Sequence, residues 1–168
     1  GGGGVAHFNG TSWAIYNTSN SGLPSNFVHA LASDTDGSLW IGTDKGVAHF
    51  DGTNWLVYNV SNSELPNDVV YSLAIDSDGS YWFGTFAGAA HFDGTSWTVY
   101  TFIDSYSGLT CGVINAIAID SQGFHWFGAR CYSVGEYYPV LWSILLTPSY
   151  RSNDQLAWLD DTHFQASY

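Results

Sequence analysis

Three histidines, His7, His49 and His91, stand 42 residues apart, and three imidazoles are a ligand set that zinc accepts. Two Asp-x-Asp-Gly stretches, Asp34 to Gly37 and Asp76 to Gly79, recur at the same interval and open like a calcium loop. Neither metal reading holds on spacing. Ligands of one zinc all lie about 2 Å from it, whereas side chains supplied once per repeat are carried apart with their repeats, and the fourth equivalent is Glu136. The calcium loop needs an acidic ligand at its twelfth position. None follows there, and the third copy reads Asp120-Ser121-Gln122-Gly123. A carboxylate capping its own turn explains these aspartates. No Ser-His-Asp or Cys-His grouping stands in a motif context, and no Gly-rich loop joins a strand to a helix. The expectation is therefore no catalytic residue, no metal and no cofactor.

The elements that position these residues are repeats. DSDGSYWFGTFAGAAHFDGTSWTVY (Asp76 to Tyr100) lies 42 residues after DTDGSLWIGTDKGVAHFDGTNWLVY (Asp34 to Tyr58), and GVAHFNGTSWAIY (Gly4 to Tyr16) opens the chain. One ruler runs through Trp13, Trp55, Trp97 and Trp142, the last from aligning Ser133 to Leu145 on Gly88 to Tyr100. A second runs through Trp40, Trp82 and Trp126. Both are expected to be structural and mostly buried, as large aromatic core residues are.

Each unit reads as four short strands. The first, Val69 to Asp76, is apolar or small on both faces, as a fully buried strand should be. Ala32, Ala74 and Ala118 share one position in it, which suits strands crowding at an axis. A Ser-Asp-Gly or Ser-Gln-Gly turn leads to SYWFGT, Gly88 marks a corner before AAHFD, and Asp93-Gly94 turns the chain into TSWTVY. No segment carries a 3.6-residue period over helical length. Four antiparallel strands in about 42 residues make a β-propeller blade. The expected fold is all-β, a single propeller domain over 1–168 of about four four-stranded blades. Three span about 27–59, 69–101 and 113–146. Strands from 153–168 share the fourth with strands from 5–17, so that closure leaves no free sheet edge.

The units resemble the two-component-regulator propeller repeat on Val28, Asp34 to Thr43 and Gly46 to Gly52, and on the equivalent residues from Gly4 to Ala129. That resemblance implies the fold and an extracytoplasmic address. Its motif holds structural residues, so it transfers no catalytic one.

Composition narrows the partners. Charged residues are 11% of the chain, with 3 Lys+Arg against 15 Asp+Glu and a formal net charge of -12. Such a surface repels phosphate backbones and anionic lipid, which excludes nucleic acid. The longest apolar run, Val140 to Leu146, is too short for insertion into a bilayer. With no Met and four leading glycines, the chain reads as a processed or excised piece. Asn9, Asn17 and Asn59 head Asn-x-Ser/Thr triplets that would accept glycans in a secreted protein. The two cysteines, Cys111 and Cys131, flank a predicted hairpin about Ser121-Gln122-Gly123 and are near enough to facing for a disulfide, which indicates an oxidising, extracellular or periplasmic compartment. Among aromatics that break the repeat, Tyr106 and Tyr150 fall in loops on one face with Arg151, a candidate ligand-binding group. The function expected is a non-enzymatic module for binding a protein or carbohydrate, or for self-assembly. The alternatives are a structural subunit of an extracellular filament or surface layer, and a fragment of a larger propeller sensor or carbohydrate-active enzyme.

Overall fold

The computed structural model describes residues 2–101, 109, 111–131 and 139–143. Thirteen strands and no helix form among them, in four antiparallel sheets. Blade 1 comprises β3 (Val28–Ser33), β4 (Leu39–Thr43), β5 (Gly46–Phe50) and β6 (Trp55–Tyr58), paired in chain order. Blade 2 repeats it as β7 (Val70–Ile75), β8 (Tyr81–Thr85), β9 (Gly88–Phe92) and β10 (Trp97–Tyr100). Blade 3 has β11 (Val113–Ile119), β12 (His125–Arg130) and β13 (Pro139–Ser143). Ahead of these, β1 (Val5–Phe8) and β2 (Trp13–Tyr16) form a half-blade equivalent to β5 and β6. The architecture is that of a β-propeller, and its strand boundaries fall where the turn residues put them.

Glycine sets the corner between the second and third strands. Gly46 and Gly88 adopt φ of +105° and +133°, where a side chain is strained, and a Cβ at either would run into the carbonyl oxygen of Tyr58 or Tyr100. Hence GVAHF and GAAHF both begin on glycine. Gly84 serves blade packing instead, since a Cβ there would strike Ser72 Oγ and the backbone of Ile114 in blade 3.

The core lies between blades. Trp40, Val47, Leu65, Val70, Phe83, Ala90 and Phe92 form the layer between blades 1 and 2. Trp82, Ala89, Leu109, Ile114 and Phe127 form the next, and Val5, Leu23, Ile41 and Ala48 seat the half-blade on blade 1. Burying such apolar area supplies most of the folding free energy.

Three expectations need correction. Trp40 and Trp82 are buried as predicted, and Trp55 and Trp97 partly so, but Trp126 is 45% and Trp13 67% exposed. A repeat Trp is covered only where a neighbouring blade lies over it. Second, Trp142 does not continue the Trp13, Trp55, Trp97 ruler. It pairs with Phe127 on β12, and Ser143 pairs with Trp126, the positions of Ala90 and His91 beside β8. Residues 139–143 thus form a third strand rather than a fourth, because eight residues separate β12 from β13 where two separate β8 from β9. Third, the innermost strand is not buried on both faces. His29, Leu31 and Ser33 of β3 and Asn115, Ala116 and Ala118 of β11 are exposed, since one face of this strand turns away from the neighbouring blades. The strands expected from 153–168 lie outside the described residues, as do Glu136, Tyr106, Tyr150 and Arg151.

Candidate functional site

In the acidic turns the carboxylates accept hydrogen bonds from their own backbone. Asp34 Oδ1 accepts from the Thr35 N–H at 2.6 Å and Asp36 Oδ1 from the Ser38 N–H at 2.8 Å. Asp76 and Asp78 repeat both bonds with Ser77 and Ser80. The second oxygen of the leading aspartate reaches the next blade. The Tyr81 hydroxyl donates to Asp34 Oδ2 at 2.6 Å, and His125 Nε2 lies 2.7 Å from Asp76 Oδ2 with both side chains largely buried. Asp120 differs. Its Oδ1 accepts from the Gln122 and Phe124 N–H groups, and its Oδ2 from Trp126 Nε1 at 3.0 Å within the same blade.

Of the histidine row, His7 is exposed on β1, while His49 and His91 are half-buried. His49 and His91 pair across the ladder with Trp40 and Trp82, ring centroids 4.4 and 4.7 Å apart. Among the described residues no three His, Cys, Asp or Glu side chains converge as a metal site. At the three sequons the asparagines cap turns: Asn9 Oδ1 accepts from the Thr11 and Ser12 N–H groups, Asn17 from Ser19 and Asn59 from Ser61. Asn9 is exposed and Asn17 and Asn59 are half-buried, and aspartate does the work of Asn9 at Asp51 and Asp93. Cys111 and Cys131 are joined in a disulfide with Cα atoms 4.7 Å apart.

These turn bonds set the pH range of the fold. Donors from Asn54 and Thr53 hold Asp51 down to about 2. Asp36, Asp78, Asp93 and Asp120 are lowered by hydrogen bonds from Ser38, Ser80, Ser96 and Trp126 respectively. A carboxyl lowered in the folded state adds stability that is complete above its unfolded value of about 4 and is lost as pH falls toward 2. His91, lowered by burial, starts a loss below its ordinary value of 6.5. Tyr81 is pushed up to about 12, by burial first and by Asp34 second. Its contribution is complete below about 10 and lost as pH rises through about 12. Melting temperature against pH is expected to be flat between about 7 and 10 and to fall on both sides. A melting temperature at pH 3 equal to that at pH 8 would contradict this account.

One position in each blade is committed to neither turn nor core. In β3, β7 and β11 the ladder slips by one residue at the same point, between Val28 and Ala30, between Val70 and Ser72, and between Ile114 and Ala116. The extra residue is His29, Tyr71 and Asn115 in turn. His29 and Asn115 are exposed and Tyr71 half-buried. The strands lie side by side, β3 on β7 and β7 on β11, and the His29 and Tyr71 rings stand 5.3 Å apart. A bulge re-aims a side chain and frees it from pairing. This row of imidazole, phenol and carboxamide offers ring faces and hydrogen-bonding groups along one line. The sequence analysis passed over it. Its signal is the changing residue in V-H-A-L-A, V-Y-S-L-A and I-N-A-I-A, where every flanking position stays apolar or small.

Comparison with known proteins agrees with the repeat. Residues 22–45 and 64–87 match the family model described as two component regulator propeller, as the resemblance in the motif led one to expect. Among solved structures, the extracellular domain assigned to a hybrid two component system of B. thetaiotaomicron is 26% identical, with a TM-score of 0.60 over 72% of this chain and 17% of that one. The extracellular domain assigned to a one component system of the same organism is 18% identical, with a TM-score of 0.52, over 79% of this chain and 18% of that one. An ancestral GH74 enzyme is 21% identical, with a TM-score of 0.51, over 71% and 18%. The last two show likeness of fold alone. This chain spans less than a fifth of each of these structures. No curated protein matches it.

Proposed function

We propose that this chain is an extracytoplasmic, non-enzymatic propeller module that binds a polar ligand, a carbohydrate or a peptide, along the innermost strands. The observation that carries the reading is the bulged row His29, Tyr71 and Asn115, three different polar or aromatic residues at one repeat position on adjacent strands. Residues that only build the fold repeat from blade to blade, whereas a recognition surface needs different groups side by side. A formal net charge of -12 favours neutral or basic ligands over phosphates. The extracytoplasmic address is supported by the disulfide and by similarity to a domain described as extracellular.

The test is an array of oligosaccharides and peptides probed with the chain and with a His29→Ala/Tyr71→Ala variant. Ligands of the unaltered chain should bind the variant at least about tenfold more weakly, as aromatic contacts at the centre of a site do, while its circular dichroism spectrum remains that of the folded chain. Equal binding by the two would remove the bulged row from the site. Turnover of an array sugar would favour the enzyme-fragment alternative.

A further inference from the structure

A second row of unlike residues stands at one end of the innermost strands, beside the bulged one. Asp44 and Phe86 each follow the second strand of their blade, and their N–H groups donate to the Phe27 and Val69 carbonyls at 3.3 and 3.0 Å. Arg130 takes the same place in blade 3, where it pairs with Val113. Phe27, Val69 and Val113 each precede by two residues a bulge residue, His29, Tyr71 and Asn115 in turn. Both rows therefore occupy the same end of β3, β7 and β11. At this point the strands are close, since Ser72 Oγ donates to the Ile114 carbonyl at 3.4 Å. One repeat position thus holds a carboxylate in blade 1, an apolar ring in blade 2 and a guanidinium in blade 3. Asp44 Oδ1 is buried and accepts no hydrogen bond, and Phe27 and Phe86 are 52% and 42% exposed.

Charge separates along this row. The blade 1 side holds Asp44, with Lys45 next to it, and Asp68, whose backbone oxygen takes the Gly46 N–H at 2.7 Å and whose Oδ1 accepts from the Val60 N–H at 2.9 Å. Two carboxylates against one ammonium leave that side negative. Arg130 makes the blade 3 side positive among the described residues. We propose that the innermost strands bind a net-neutral extended peptide, with a basic side chain on Asp44, an apolar one on Phe27 and Phe86, and a carboxylate on Arg130. This rests on the reading of the bulged row as a binding surface. Guanidinium takes carboxylate through two parallel hydrogen bonds, whereas a neutral sugar has no charge to set against either side. Adjacent innermost strands approach within 8 Å, so the two steps from β3 to β11 take about five extended residues. A ligand without net charge also escapes the repulsion that a chain of formal charge -12 exerts on anions.

Three labelled pentapeptides with blocked ends test this by fluorescence anisotropy: Lys-Gly-Phe-Gly-Glu, Lys-Gly-Phe-Gly-Lys and Glu-Gly-Phe-Gly-Glu. The mixed peptide is expected to bind at least about tenfold more tightly than either of the others. Arg130→Gln should remove its advantage over the Lys peptide, and Asp44→Asn its advantage over the Glu peptide. Asp44→Lys should go further and make the Glu peptide the preferred one, a reversal that mere loss of structure does not produce. Circular dichroism checks that each variant is folded. Should Arg130→Gln prove unfolded, Arg130→Lys replaces it, keeping the charge but not the paired hydrogen bonds, and should weaken the mixed peptide. Equal affinity for the three peptides, or a preference that the substitutions leave unchanged, overturns the proposal. If no pentapeptide binds while sugars bind and lose affinity on His29→Ala/Tyr71→Ala, the peptide falls and the bulged row stands. The expected charge preference, untouched by His29→Ala/Tyr71→Ala, would remove the bulged row alone.

Discussion

Replacing Trp40 by Ala is expected to cost the fold about 3–5 kcal/mol, the usual loss for emptying a large aromatic site in a core. The ring is 3% exposed and touches five others, His49 and Tyr58 of its own blade and Tyr81, Phe83 and Phe92 of the next. Truncation therefore opens the layer between blades 1 and 2, and neighbours from two sheets cannot both collapse into the space. Trp126→Ala provides the control, since it removes the equivalent ring where 45% of it is exposed, and should cost less than about half as much. Urea unfolding of the two variants decides the matter. Equal losses would mean that the rings stabilise their own strands rather than the contact between blades.

The second large effect belongs to the disulfide. Cys111 and Cys131 are separated by 20 residues, and a loop of that length restrains the unfolded chain by about 3 kcal/mol in the chain-entropy model. Cys111→Ser/Cys131→Ser, or reduction of the native bond, should lower stability by that order. The effect should concentrate in blade 3, because the bridge closes the open end of the β11–β12 hairpin just beyond the Val113–Arg130 pair. Amide exchange with and without reductant locates the loss. Alkylation of native material before mass spectrometry is expected to find no free thiol, and recovery of two would contradict the bond.

Most of the fold was legible because repetition magnifies weak local signals. A single Asp-Gly turn or a single Trp-centred strand is ambiguous, but the same turn, strand and corner glycine at 42-residue intervals fix the strand order. Legibility failed where the repeat failed. Val140 to Ser143 reads well as a fourth strand around Trp142, yet it pairs as a third, because an insertion at a corner shifts the frame without leaving a mark on the strands themselves. Exposure of Trp13 and Trp126 was invisible for a related reason. Sequence shows that a residue belongs to an interface class, and only the neighbour present in space shows whether that interface forms. The His29, Tyr71 and Asn115 row was missed because a bulge belongs to the pairing of two strands, and the alternation of one strand does not display it.

The bonding between blades has a consequence for how the molecule opens. Blade 1 holds blade 2 through β3 and β4 against β7, and blade 2 holds blade 3 through β7, β8 and β9 against β11. Coupling of this sort runs along a line, so the free energy of the array is a sum of unit terms and nearest-neighbour terms. Among the described residues, blade 2 is clasped by blades 1 and 3, and blade 1 by blade 2 and the half-blade. The amides of β4, β5, β7 and β8, inside the two blades held on both sides, should therefore exchange last, as the residual kernel from which the neighbouring strands zip shut again.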